Sequence, residues 1–200
     1  MLITFSGLDG TGKTTHARKT VEFLRKNNIK ARYVRMYRAS LLYCLGRLMP
    51  QKMRNNMVES QFSRRKTLKN DILNTIRKVT CLIDLLIFRL IYLTNNLKTT
   101  TMVYDRYFYD VLVHLMYLQK KNNIFTRIYA FLIKKPTISF LLITTPEKAY
   151  QRKKEYNQNY FDEKQELYLR IGSKVSKVIQ EKTLGQSQEI IEEFILKRKK

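Results

Sequence analysis

Leu2 to Ser6 (LITFS) is a short apolar run followed at once by a glycine-rich turn, the pattern of a buried strand. Lys13 to Asn27 places Ala17, Val21 and Leu24 at i, i+4 and i+7, which predicts a helix with one buried stripe. Ala31 to Met36 reads as a second strand. Leu41 to Lys69 is basic and weakly patterned, and broken helices are expected there. From Ile72 to Leu97, apolar residues fall at 73, 76, 79, 83, 86, 90, 93 and 97. Those alternating three- and four-residue steps predict one long helix, frayed at Asn95 and Asn96.

Thr101 to Tyr104 is a third strand, closed by Asp105-Arg106. Helices are expected over Phe108–Gln119 and Ile124–Ile133, and a fourth strand over Thr137–Ile143. Thr145-Pro146-Glu147 has the chemistry of a helix start: a capping hydroxyl, proline in the first turn and an early acid. That helix is expected to run through Lys154, with another from about Asp162 to Lys174. A weak fifth strand over Val175–Ile179 and a closing helix over Ser187–Leu196 complete the map.

Strands alternating with helices imply a parallel sheet covered on both faces. Ligands bind such sheets beyond the carboxyl ends of the strands. Gly7 to Thr15, Arg35 to Arg38, and Asp105-Arg106 all fall at such ends. The expected architecture is therefore α/β: a three-layer sandwich around a five-stranded parallel sheet.

Composition narrows the class without changing the map. A chain of 200 residues that is 44% hydrophobic can bury the core of one domain, and no Pro- or Gly/Ser-rich linker divides it. The run from Leu82 to Leu93 carries Asp84 and Arg89 and is shorter than the roughly 20 apolar residues a membrane span needs, so it reads as a buried helix. A strand beginning at Leu2 leaves no room for a signal peptide, so a cytoplasmic location is expected. Cys44 and Cys81 are far apart in apolar stretches, as free buried thiols are. His16 and His114 lie on predicted helices and are read as non-catalytic. The net charge of +23 is spread along the chain. It suits either concentration of an anionic ligand, nucleotide or nucleic acid, or a solvated surface.

The chemistry is carried first by Gly7-Leu8-Asp9-Gly10-Thr11-Gly12-Lys13-Thr14, which fits G-x-x-x-x-G-K-[ST] at every fixed position. Its glycines let backbone N–H groups turn inward around a β-phosphate, and the helix N-terminus behind adds a favourable dipole. Lys13 is expected to bridge the β- and γ-phosphates and Thr14 to hold Mg²⁺. Gly7, Gly10, Thr11, Gly12, Lys13, Thr14 and Thr15 form the expected nucleotide-binding set, with ATP and Mg²⁺ as cofactors. The motif follows a strand and opens a helix, the context that gives it meaning.

FSGLDGTGKTT at the start of the chain and VYDRY at Val103 to Tyr107 resemble thymidylate kinases. So do PEKAYQRKKE from Pro146 and FDEKQELYLRI from Phe161, which look like that family's lid at about residues 150–160. The resemblance spans residues 1 to about 172 and is patchy between 40 and 100. It implies a single P-loop kinase domain over residues 1–200 with a short lid, phosphorylating a nucleoside monophosphate, foremost dTMP. It also implies that Asp9 meets the acceptor sugar, Asp105 supports the magnesium shell and Arg106 grips the acceptor phosphate. Arg152, with Lys153 and Lys154, closes over the transferring group. Arg38 and Tyr107 complete the expected substrate contacts.

Some members of that family carry a catalytic arginine in the phosphate loop and others in the lid. Gly10 stands at the loop position here, so the lid must supply the charge. The chain also departs from the family. Arg35-Met36-Tyr37-Arg38 lacks the usual acid and proline, and Phe108 to His114 contains Asp110 but lacks the usual Tyr-Gln pair. Two other readings stand beside the first: the same chemistry on another small acceptor, and a P-loop ATPase linked to nucleic acid. No membrane partner is expected from the sequence, and a homodimer is left open.

Overall fold

The computed structural model describes residues 1–36, 68–94, 100–119, 123–152, 157–180 and 182–199. Arg38, Cys44, Lys153, Lys154 and the expected broken helices up to residue 67 lie outside the described residues. Five strands carry the fold: β1 (Leu2–Gly7), β2 (Ala31–Arg35), β3 (Thr101–Asp105), β4 (Ile138–Ile143) and β5 (Lys177–Gln180). Between and after them come α1 (Lys13–Lys26), α2 (Leu68–Thr94), α3 (Phe108–Gln119), α4 (Ile124–Leu132), α5 (Pro146–Arg152), α6 (Gln158–Val175) and α7 (Leu184–Lys199).

All strand pairs are parallel, and the order across the sheet is β2-β3-β1-β4-β5. β1 is central because its side chains are apolar or small on both faces: every residue of it is buried. Its register sets Phe5 beside Asp105 on one side and Gly7 beside Leu142 on the other. On β2, Arg35 pairs with Asp105. The ends of β2, β3 and β1 thus lie side by side at one edge, as the sequence motifs require.

The two faces of the sheet are filled differently. Ile3, Phe5, Val103 and Phe140 pack against Ala17, Val21 and Leu24 of α1 and against Ile191 and Ile195 of α7. Leu2 points to the opposite face, where it joins Leu85 of α2 and Leu112, Leu115 and Met116 of α3. A third cluster joins Leu8 of the phosphate loop to Val113 and Tyr117 of α3, Ala149 of α5 and Tyr160, Phe161 and Tyr168 of α6. That cluster ties the loop to α5 and α6.

Three sequence expectations need correction. α6 begins at Gln158, four residues before Asp162, because the Asn157 side chain caps it by accepting from the Tyr160 N–H at 3.0 Å. α2 is not wholly buried over Leu82–Leu93. Its inner stripe, with Arg77, Cys81 and Leu85, packs against the domain, while Ile76, Val79, Ile83, Leu86 and Leu90 are exposed. The even three–four spacing marks that outer stripe and not the packed one. α7 spans Leu184–Lys199 and is longer at both ends than Ser187–Leu196. Cys81 is a free, buried thiol whose pKa burial pushes up to about 12, so it is unreactive. No helix among the described residues is long and apolar enough to cross a membrane.

Candidate active site

The phosphate loop leaves β1 at Gly7, and its backbone is possible only for glycine. Gly7 has φ +142°, and a Cβ there would sit 2.3 Å from the Leu142 carbonyl oxygen on the adjacent strand. The loop closes on itself through Thr11, whose Oγ1 donates to the Leu8 carbonyl at 2.9 Å. Lys13, the first residue of α1, is 5% exposed and donates from Nζ to the same carbonyl. The ammonium is therefore stored inside the loop, within reach of the space that the loop surrounds. Thr15, one residue beyond Thr14, is exposed in the first turn of α1.

Asp105 closes β3 and is 2% exposed. Its Oδ2 accepts from Thr14 Oγ1 at 2.7 Å and from Tyr33 OH at 2.8 Å. Tyr33, on β2, has its pKa raised by burial first and then by that carboxylate. Sequence reading passed over Tyr33. Its signal is positional: it lies on the strand that the sheet places beside β3. Thr14 and Asp105 together present a hydroxyl and a carboxylate at one point. This oxygen-only pair fits a hard divalent cation such as Mg²⁺, which takes few protein ligands and fills its shell with phosphate and water. Among the described residues no group of three or more His, Cys, Asp or Glu is arranged to hold a metal by itself.

Arg106 follows directly and has φ +69°, a left-handed conformation that a non-glycine residue adopts only when its surroundings force it. Its backbone N–H donates to the Phe5 carbonyl at 2.9 Å. Its guanidinium pairs with Asp9 of the phosphate loop, and a second nitrogen lies 3.9 Å from Asp110. The strained backbone turns the side chain across the loop mouth.

Asp110, on the first turn of α3, is 1% exposed and organises the base of the loop. Its Oδ2 accepts from Ser6 Oγ at 2.7 Å and from the Tyr107 N–H at 2.9 Å. Its Oδ1 accepts from Tyr168 OH at 2.8 Å and from the Gly7 N–H at 3.4 Å. Buried and fully engaged, Asp110 cannot approach an acceptor hydroxyl. Tyr107 also differs from its expected substrate role. It is 0% exposed, its hydroxyl donates to the Lys134 carbonyl at 2.6 Å, and its ring packs among Phe88, Tyr104 and Tyr109. An aromatic so enclosed cannot touch ligand.

Helix α5 lies against the loop. Arg152 Nη1 donates to the Gly10 carbonyl at 3.0 Å, and a Cβ at Gly10 would approach the Arg152 Cβ to 3.3 Å. A side chain at Gly10 would crowd the arginine that stands over it. The structure thus brings together Gly7, Asp9, Gly10, Thr11, Gly12, Lys13, Thr14, Asp105, Arg106 and Arg152 at one sheet edge.

The fold resembles that of a solved thymidylate kinase. The chain is similar to the structure of the thymidylate kinase from Candida albicans, with a TM-score of 0.63 and 18% sequence identity. The match covers 99% of this chain and 92% of the other. No protein-family model matches the sequence. At that identity the likeness concerns the path of the chain, so the chemistry rests on the residues gathered at the sheet edge.

Two further side chains interact electrostatically with this region. Arg77 of α2 is buried and donates to Asn74 at 2.9 Å. His114 of α3 is held well below its ordinary pKa, by burial first and then by Lys164, Arg77 and Arg106. No local pattern could reveal this convergence, since the three cations come from α6, α2 and the end of β3.

Proposed function

We propose that this chain transfers the γ-phosphoryl group of ATP to a nucleoside monophosphate, with dTMP the foremost acceptor. One observation carries the reading: Arg106, strained at the end of β3, is ion-paired across to Asp9 of the phosphate loop. A cation so placed stands between the donor loop and the acceptor side. Its planar fork suits the two oxygens of a phosphate.

The roles follow from position. Backbone N–H groups of Gly10 to Thr14 line the donor phosphates, and Lys13 leaves the Leu8 carbonyl to meet them. Thr14 and Asp105 would hold Mg²⁺, which when bound neutralises charge on the β- and γ-oxygens. Asp9 orients the acceptor and releases Arg106 to its phosphate. Arg152 extends from the lid over Gly10, where charge develops during transfer. Phosphoryl transfer asks the protein mainly for positioning and charge neutralisation, and this edge offers both.

The carboxylates favour a phosphorylated acceptor. A hydroxyl acceptor needs a base to take its proton, whereas a phosphate oxygen is already ionised. Asp9, Asp105 and Asp110 are all engaged by protein donors. The sequence between Phe23 and Val58, which contains the end of β2, has no Asp or Glu at all. Arg35 and Arg38 stand there instead.

Arg106→Lys tests the reading, because it keeps the charge and loses the fork. Acceptor KM should rise by roughly tenfold or more, the scale of one charge-assisted hydrogen bond, while ATP KM stays put. Steady-state kinetics with each substrate varied in turn gives both constants. Equal weakening of both would assign Arg106 to the sheet's structure and not to the acceptor.

A further inference from the structure

The outer side of α2 is aliphatic. Among the described residues, eight of the ten exposed positions between 72 and 92 are Ile, Leu or Val, and Thr75 and Arg89 are the other two. Six of the eight, Ile72, Ile76, Val79, Ile83, Leu86 and Leu90, follow one another by alternating steps of four and three. That is a seven-residue repeat with two apolar positions, the seam along which helices pair. The core is served by a separate stripe, since Cys81 and Leu85 face inward from the opposite side of the helix.

Helix α4 continues this surface. It lies beside α2: Lys78 Nζ is 5.9 Å from the Phe125 ring, and Arg89 Nη1 donates to the Leu132 carbonyl at 3.3 Å. Tyr129 turns to the core, while Ile124, Ile128 and the 85%-exposed Phe131, at i, i+4 and i+7, point away from it. Eleven apolar side chains on the two helices are thus about half exposed. At ~100 Å² for a fully exposed aliphatic chain they offer roughly 600 Å² of apolar surface. A standard interface takes about 800 Å² from each partner, a little over half of it apolar. The face therefore carries the apolar area of a stable interface, at the upper end of what a monomer leaves open.

We propose that this face pairs with the same face of a second copy of the chain, the α2 seams of the two copies packing on each other about a two-fold axis. The inference does not depend on the kinase reading. Charge selects the occupant. Each copy carries +23, so two copies repel wherever their cations meet. On the outer sides of these helices the exposed cations are few among the described residues, Arg89 on α2 and Arg127 on α4, and Arg89 is turned to the Leu132 carbonyl. Identical chains can approach there with little like-charge contact. A seven-residue repeat is also self-complementary, which a two-fold interface requires. A helix that lies on anionic lipid instead borders its apolar stripe with many Lys and Arg.

Sedimentation of the full chain tests this. Wild type at micromolar concentration should show twice the chain mass of 24.0 kDa. Ile83→Lys, in the middle of the seam, should raise the dimer's dissociation constant at least about 30-fold, the scale of a central interface hot spot. Leu196→Lys, at an exposed apolar position on α7, should leave it unchanged. In wild type alone, raising salt from about 0.05 to 0.5 M should tighten the dimer, because screening removes repulsion and leaves the apolar seam. That measurement keeps the proposal testable if Ile83→Lys does not fold. A wild type of single-chain mass, a dimer unmoved by folded Ile83→Lys, or a dimer loosened by salt overturns it. Single-chain wild type that floats with phosphatidylglycerol–phosphatidylcholine vesicles overturns it in favour of a lipid surface.

Discussion

Lys13→Ala should lower turnover by at least ~100-fold, the loss seen when one strong transition-state donor is removed. The ammonium is the cation stored within the loop itself, and it rests on the Leu8 carbonyl with little access to solvent. Charge migrates through the equatorial oxygens during phosphoryl transfer, and backbone N–H groups alone cannot follow it. The substitution should leave the fold intact. Lys13 opens α1 and makes no contribution to the apolar stripe of Ala17, Val21 and Leu24. Circular dichroism and thermal melting should match wild type while ADP release in the presence of acceptor collapses. Near-normal turnover in a folded variant would contradict the role assigned to the loop.

Asp110→Asn should destabilise the protein although it keeps the side chain's shape. The carboxylate accepts from Ser6 and Tyr107 on one oxygen and from Tyr168 and Gly7 on the other. A carboxamide can present an oxygen to only one of those pairs. Whichever way it is flipped, its NH₂ then faces one backbone N–H that cannot accept, while the Ser6 or Tyr168 hydroxyl on that side must reverse its role. Leaving a buried donor unmatched costs about 1–3 kcal/mol, so a loss on the order of 2 kcal/mol is expected. For a chain of this length that lowers Tm by roughly 4–8 °C. The phosphate loop, anchored through Ser6 and Gly7, should loosen with it. An unchanged Tm in Asp110→Asn would mean that the cage of donors does not hold as described.

The same residue shows where reading a sequence succeeds and where it stops. The motif from Gly7 to Thr14 was legible because each position answers to a local requirement: a strand before, a helix behind and glycines between. Asp105-Arg106 was legible because a strand that ends in a charged pair must end at the sheet's ligand edge. Asp110 is visible in the sequence only as a departure from the family's pattern, since nothing local shows that Ser6 and Tyr168 converge on it from distant elements. Tyr107 misled for the opposite reason. It follows Asp-Arg immediately, yet the left-handed turn at Arg106 sends the next side chain into the core.

Helices were recognisable by period, but the period does not tell which stripe is packed. The regular apolar spacing of α2 belongs to its exposed side, while Arg77, Cys81 and Leu85 face inward. The start of α6 was missed because Asn157, its cap, is followed by polar and aromatic residues and not by an apolar repeat.

The central claim is that the acceptor already bears a phosphate. The most direct measurement is ADP release from ATP with matched pairs of acceptors, each nucleoside set against its own 5′-monophosphate, with dTMP and thymidine first. The account predicts turnover with the monophosphate, a nucleoside diphosphate as product and no turnover with the nucleoside. Turnover with thymidine and none with dTMP would contradict it.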